Sequence, residues 1–181
     1  MFMKNNLYLL LFCTFWLPSK IIGQTIPKTD SISVYIFLDE TCVISQYYTL
    51  SLKALNQEFG KEHLQFIGLF PNFSSKPAKI KTFKKKYKIP FELKTDYYHS
   101  KVKQLGAEVT PEVVVYNETS ESILYKGRID NTYFRIGKRR NVTTTHDLKA
   151  ALVAIRDNQP IPNKSVLAVG CFIHESAFSN D

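Results

Sequence analysis

Cysteine is scarce in this chain: only Cys13, Cys42 and Cys171 occur in 181 residues. None is paired in a C-x-x-C unit, which excludes the knuckle of a structural zinc site. Long apolar runs are also missing. The block 7–17 (LYLLLFCTFWL) has eleven residues, short of the ~20 that a helix needs to cross a bilayer. No nucleic-acid-binding motif is present, and the formal charge of +8 is basic but modest. The run 81–88 (KTFKKKYK) interleaves lysines with apolar residues at helical spacing, so it reads as a solvated helix face rather than a phosphate-binding patch. Such a surface favours an anionic envelope or an acidic partner and points away from nucleic acid.

The N-terminus has the layout of an export signal: Lys4, then the apolar block, then a short segment ending in Gly23. Cleavage is expected after Gly23, although Ile21 is larger than that position favours. The expected organisation is a signal peptide at 1–23 and one domain at 24–181, secreted or periplasmic, with no stable membrane span once the signal is removed. About 158 residues suffice for a single core, and loss of Lys4 and Lys20 takes the charge to +6. Cys13 leaves with the signal. Cys42 and Cys171 then remain in a compartment that permits disulfides, as a static crosslink, a reversible redox pair or two soft metal ligands.

Periodicity divides the domain into alternating strands and helices. Residues 31–38 form an apolar, β-branched strand, and 42–59 a helix with Ile44, Tyr48, Leu52, Leu55 and Phe59 on one stripe. Residues 64–70 (LQFIGLF) are apolar enough for a strand buried on both faces, ended by Pro71. A helix at 77–87, a short strand at 91–93 and a short helix at 99–105 capped by Gly106 follow. Residues 112–116 and 122–125 read as a hairpin joined by the polar turn 117–121. Residues 127–141 are charged and poor in apolar side chains, which predicts a surface excursion. Thr145 is the expected N-cap of a last helix reaching Arg156, and 158–181 is a tail carrying Cys171. The fold class is therefore α/β, a central mixed sheet with helices on both faces.

Cys42 is the most informative residue, because it falls where the first strand runs into the first helix. A thiol in that first turn feels the positive end of the helix dipole, and cysteines so placed ionise below the unperturbed ~8.5. The competing reading is that Cys42 is merely a small buried hydrophobe.

The order of elements resembles a thioredoxin fold with one inserted strand and helix. More specifically, five blocks resemble the exported, peroxiredoxin-like redoxin family, related to the alkyl hydroperoxide reductase and thiol-specific antioxidant proteins. They are DETCVISQYY (39–48), QLGAEVTPEVVVYN (104–117), YKGRIDNTY (125–133), THDLKAAL (145–152) and VGCFI (169–173). The resemblance spans residues 33–173. It implies that Cys42 is the attacking thiol, that Cys171 resolves it, and that Thr41, Ser45, Thr110, Pro111 and Arg128 support the site. It also implies a cis Thr110–Pro111 bond facing Cys42, protein thiols or disulfides and peroxide as substrates, and no cofactor. The chain departs from the family where Val43 and Phe172 replace prolines of C-P-I-S and G-C-P-I. Ser45 stands where a C-x-x-C motif has its second thiol, and Asp39 where peroxiredoxins have the threonine that polarises peroxide. Efficient peroxidase chemistry is therefore not expected.

Other readings stay open at this stage. Arg128, or Arg139 with Arg140, could stabilise a thiolate or meet an anionic partner, while an Arg128–Asp130 ion pair is the structural alternative. His146 could serve as a cap, or as the third donor beside Cys42 and Cys171 in a copper(I) site, with His174 as a substitute donor. A non-catalytic binding module with a structural disulfide is a third reading. N-x-S/T matches at Asn72, Asn117, Asn141 and Asn163 suggest surface loops.

Overall fold

The structure, a computed structural model, describes residues 31–61 and 64–174. The signal peptide expected at 1–23 and Cys13 lie outside the described residues. The elements are β1 (Ile32–Phe37), α1 (Val43–Phe59), β2 (Leu64–Phe70), α2 (Pro77–Tyr87), β3 (Glu92–Thr95), α3 (Ser100–Leu105), β4 (Val109–Thr110), β5 (Glu112–Asn117), β6 (Ser122–Gly127), β7 (Tyr133–Arg135), β8 (Lys138–Arg139), α4 (Asp147–Arg156), β9 (Ser165–Val166) and β10 (Cys171–Phe172).

Six strands form the central sheet in the order β3-β2-β1-β5-β6-β9. β1, β2 and β3 run parallel, β5 is antiparallel to β1 and to β6, and β9 joins β6 in parallel. β1 is central and every residue of it is buried, which is why it reads as an apolar run broken only by Ser33. Side chains alternate between two cores. Val34, Ile36 and Leu38 join Ile44, Tyr48 and Leu52 of α1, Ile80 and Phe83 of α2, and Leu148 and Leu152 of α4. On the other face, Tyr35 and Phe37 pack with Leu69, Val114 and Leu105 of α3. Gly127, at φ 147°, lets β9 close on the sheet edge: a Cβ there would meet the Val166 carbonyl oxygen at 1.9 Å.

Three expectations need correction. The first helix starts at Val43, and Cys42 is its N-cap in extended conformation (φ −72°, ψ 116°) rather than part of its first turn. The last helix is preceded by His146, not Thr145, because the Thr145 main chain is engaged with Asn131 and its hydroxyl donates to Asp147. The 127–141 segment is not simply a surface excursion, since Ile129, Asp130, Asn131 and Thr132 are buried before the exposed β7–β8 hairpin. The tail carrying Cys171 is held to the domain: β9 joins the main sheet, and β10 pairs with β4.

Two of the N-x-S/T matches are also not surface positions. Asn72 is 2% exposed and Asn117 is buried at the hairpin, where its side chain accepts bonds from the Thr119 and Ser120 amides. Lysines 81, 85, 86 and 88 are exposed while Ile80 and Phe83 point inward, the solvated helix face expected. No helix among the described residues is long and apolar enough to cross a membrane.

Candidate active site

The site is built where β1 ends. Asp39 turns the chain: its main-chain oxygen accepts the Cys42 amide at 3.2 Å, and its Oδ1 accepts the Thr41 amide at 2.7 Å and the Thr41 hydroxyl at 2.6 Å. The Ser45 hydroxyl accepts the Asp39 amide at 3.3 Å. Thr41 and Ser45 thus shape the turn that presents Cys42. The Cys42 carbonyl opens α1 by accepting the Gln46 amide at 3.0 Å.

Opposite stands the Thr110–Pro111 bond, which is cis. The Cys42 thiol, 3% exposed, donates to the Thr110 carbonyl at 3.2 Å. β10 then lays Cys171 directly across from Thr110 in antiparallel register, and the Thr110 hydroxyl donates to the Cys171 carbonyl at 3.3 Å. This brings the thiol of Cys171 into interaction with that of Cys42, and both cysteines are free. The tail folds back over the site, and residues distant in sequence become neighbours.

The two thiols are not equivalent. Burial, then the hydrogen bond and charge of Cys42, then the charge of Asp39, push the Cys171 thiol up to about 12. Cys171 therefore keeps its proton at neutral pH. Burial alone would raise the Asp39 carboxyl, but bonds from Thr41 and Asn72 outweigh it and hold that group below its ordinary value. Asp39 is accordingly a fixed negative charge beside the pair. Glu112, next to Pro111, is raised, mainly by burial, although the Glu108 amide donates to it at 2.8 Å and Lys126 stands at 3.8 Å.

A consequence is measurable. At pH 8 a thiol titrating near 12 is about one part in ten thousand thiolate, and its greater nucleophilicity recovers only part of the deficit. Iodoacetamide should label Cys171 roughly 30-fold slower than an ordinary exposed cysteine. The rate should keep rising tenfold per pH unit through about pH 10, and Cys42→Ala should speed it by removing two of the four influences, the hydrogen bond and the charge of Cys42. A labelling rate that levels off near pH 9 in the native protein would contradict this reading of the pair.

Other expected site residues fall elsewhere. Arg128 is committed to Asp147 at 2.7 Å, not to Asp130, and supports the start of α4 instead of a thiolate. Asp130 pairs with Tyr48, whose hydroxyl donates to it at 2.6 Å. The Arg139 guanidinium stacks on Tyr47, and Arg140 on Phe134 while bonding the Asn131 carbonyl. His146 is exposed on a groove with Asp147, Pro162 and Asn163, and only the main chain of His174 is tied to Asn72. Among the described residues no three His, Cys, Asp or Glu side chains are grouped to hold a metal ion. Sequence reasoning missed Asn72, whose Nδ2 donates to Asp39 Oδ2 at 2.7 Å and whose Oδ1 accepts the His174 amide at 3.0 Å. Its only signal was an N-x-S match, which pointed outward.

This arrangement can be set beside known structures. A conserved protein of Geobacillus kaustophilus, described as uncharacterized, superposes with a TM-score of 0.71 at 21% identity, covering 84% of this chain and 81% of that one. A thioredoxin-like protein in its oxidized form superposes at 0.54 and 10% identity, covering 76% and 88%. The fold is thioredoxin-like. A secreted disulfide oxidoreductase of Mycobacterium tuberculosis, homologous to Escherichia coli DsbE, shares this thioredoxin-like fold at 0.50 and 14% identity, covering 68% and 81%. No family model and no curated protein matches the chain. Within this thioredoxin-like fold, Cys42 occupies the strand-to-helix turn and Pro111 the cis position facing it, both as the sequence resemblance implies.

Proposed function

We propose that the protein is an exported thiol–disulfide oxidoreductase that acts on protein thiols and disulfides through Cys42, with Cys171 as its resolving thiol. The observation that carries this reading is the meeting of two free cysteines at Thr110, whose carbonyl accepts the Cys42 thiol and across from which Cys171 is paired, next to the cis Thr110–Pro111 bond. The secreted disulfide oxidoreductase among the structural neighbours agrees with it.

In the forward direction the Cys42 thiolate attacks one sulfur of a substrate disulfide, forming a mixed disulfide and releasing one substrate thiolate, which takes up a proton. Cys171 then gives up its proton and attacks Cys42 Sγ. A Cys42–Cys171 disulfide forms, the second substrate thiol leaves, and two electrons have passed from the protein to the substrate. The reverse sequence oxidises a substrate dithiol. Peroxide is the weaker substrate in this reading, because Asp39 places a carboxylate, not a hydroxyl donor, three residues before Cys42.

Mass spectrometry of the purified protein across a glutathione titration tests the proposal. A pair that interconverts between about −180 and −270 mV is a catalytic couple. One that stays oxidised below about −300 mV is a structural bridge, and the proposal would then be abandoned.

A further inference from the structure

The segment 170–174 lies beside Cys42: Cys171 pairs across from Thr110, whose carbonyl accepts the Cys42 thiol. Cys42 is almost fully buried, and the segment beside it is held by a two-residue strand and a few bonds. Cys171 and Phe172 pair with Thr110 and Val109, and the Ile173 amide donates to the Glu108 carbonyl at 3.0 Å. Gly170 makes the close approach possible: a Cβ there would lie 2.2 Å from the Thr110 oxygen and 2.5 Å from its carbon. Beyond the strand, the His174 amide donates to Asn72 Oδ1 at 3.0 Å. Asn72 reaches in the opposite direction to Asp39, the carboxylate of the turn that presents Cys42. So short a pairing belongs to the parts of a protein that open locally without global unfolding.

We propose that residues 170–174 form a strap latched by Asn72, which must lift for a substrate disulfide to reach Cys42 and must close again for Cys171 to resolve the mixed disulfide. The proposal rests on the thiol–disulfide reading and adds an order of events to it. With the strap raised, Cys42 Sγ bonds to a substrate sulfur and the substrate's own S–S bond breaks. The pairing of Cys171 with Thr110 then restores the contact between the two cysteine sulfurs, and the mixed disulfide is exchanged for the internal one. Strap and resolving thiol are one element, so the position that excludes solvent is also the position that completes the exchange. Asn72 is a positioning residue here: it touches neither substrate nor reacting sulfur, and it acts through the strap.

Two variants attack the strap from different contacts. Asn72→Ala removes the latch, and Gly170→Ala forces a methyl group against the Thr110 carbonyl. In the reduced full chain, site-resolved iodoacetamide labelling of Cys42 should accelerate at least tenfold in each. Hydrogen exchange at the Ile173 amide should accelerate as well, while the amides of Phe37 and Val114 in the central sheet keep the parent rate, a pattern that general loosening does not produce. Unchanged Cys42 labelling in both variants overturns the strap. Acceleration accompanied by faster exchange throughout the sheet overturns the latch role of Asn72. Labelling requires no exchange chemistry, so the two readings separate: fast labelling without any reaction toward a protein disulfide keeps the strap and removes the proposed function.

Discussion

Cys171→Ser is expected to trap the protein on its substrate. Mixed with an oxidised protein substrate, the variant should accumulate a covalent adduct through Cys42 that is stable on non-reducing gels and released by dithiothreitol. Its multiple-turnover exchange should fall by a factor of roughly 10³, since removing one member of a catalytic unit disables the unit. Cys42→Ser should show neither adduct nor turnover. The reason lies in the geometry: Cys42 Sγ is presented by the Asp39 turn at the start of α1, and Cys171 is the one other cysteine among the described residues. Ser45, one turn into α1, accepts a bond from the Asp39 amide and has no thiol chemistry. Residual exchange in Cys42→Ser comparable to the parent would refute the assignment of Cys42. A Cys171→Ser protein that turns over at the parent rate without trapping would show that resolution comes from elsewhere.

The second large effect concerns stability. Asp130 is 7% exposed, and its Oδ1 accepts both the Tyr48 hydroxyl at 2.6 Å and the Thr132 amide at 2.8 Å. Asp130→Ala leaves a buried hydroxyl and a buried amide without their acceptor, which should cost about 3 kcal/mol. Tyr48→Phe removes a donor from a carboxylate that keeps the Thr132 bond, and should cost about 1 to 2 kcal/mol. The double variant should lose less than the sum, because both single changes break the same bond. Urea melts at pH 7 measure all three, and an Asp130→Ala midpoint within error of the parent would show that the contact contributes nothing. The same contact has a pH signature. Burial first, and Asp130 second, hold the Tyr48 hydroxyl above its ordinary value, and burial does the same for Tyr125. Groups raised on folding stabilise the native state below their unfolded value and cease to do so as pH rises, so stability should decline above about pH 10.

Much of this protein was legible from local patterns. The stripe through Ile44, Tyr48, Leu52, Leu55 and Phe59 located α1 and its buried face, because helical period and burial are the same fact seen twice. The bounds of β2 and α2 followed from an apolar run interrupted only by Gln65 and ended by Pro71, and from Pro77 at the first turn of a helix. Gly106, at φ 67°, closed α3 as a left-handed cap. Cys42 was found from its place where the first strand meets the first helix and Pro111 through a resemblance carried by motifs, and the structure places them face to face.

The sequence by itself thus determined the longer strands and helices, their succession along the chain, and the cysteine at the head of α1, since each depends on residues within a few positions of one another. Only the tertiary structure decided what surrounds that cysteine. β4 and β10 have two residues each, too few to carry a period, and Cys171 is opposite Thr110 because the chain returns there after 61 residues. Arg128 chose Asp147 over Asp130, and Asn72 joined Asp39 to the tail, by the same non-local geometry. Hydrogen bonds between distant polar groups leave no periodic trace in sequence, because any donor of the right length can meet any acceptor once the fold has brought them within about 3 Å.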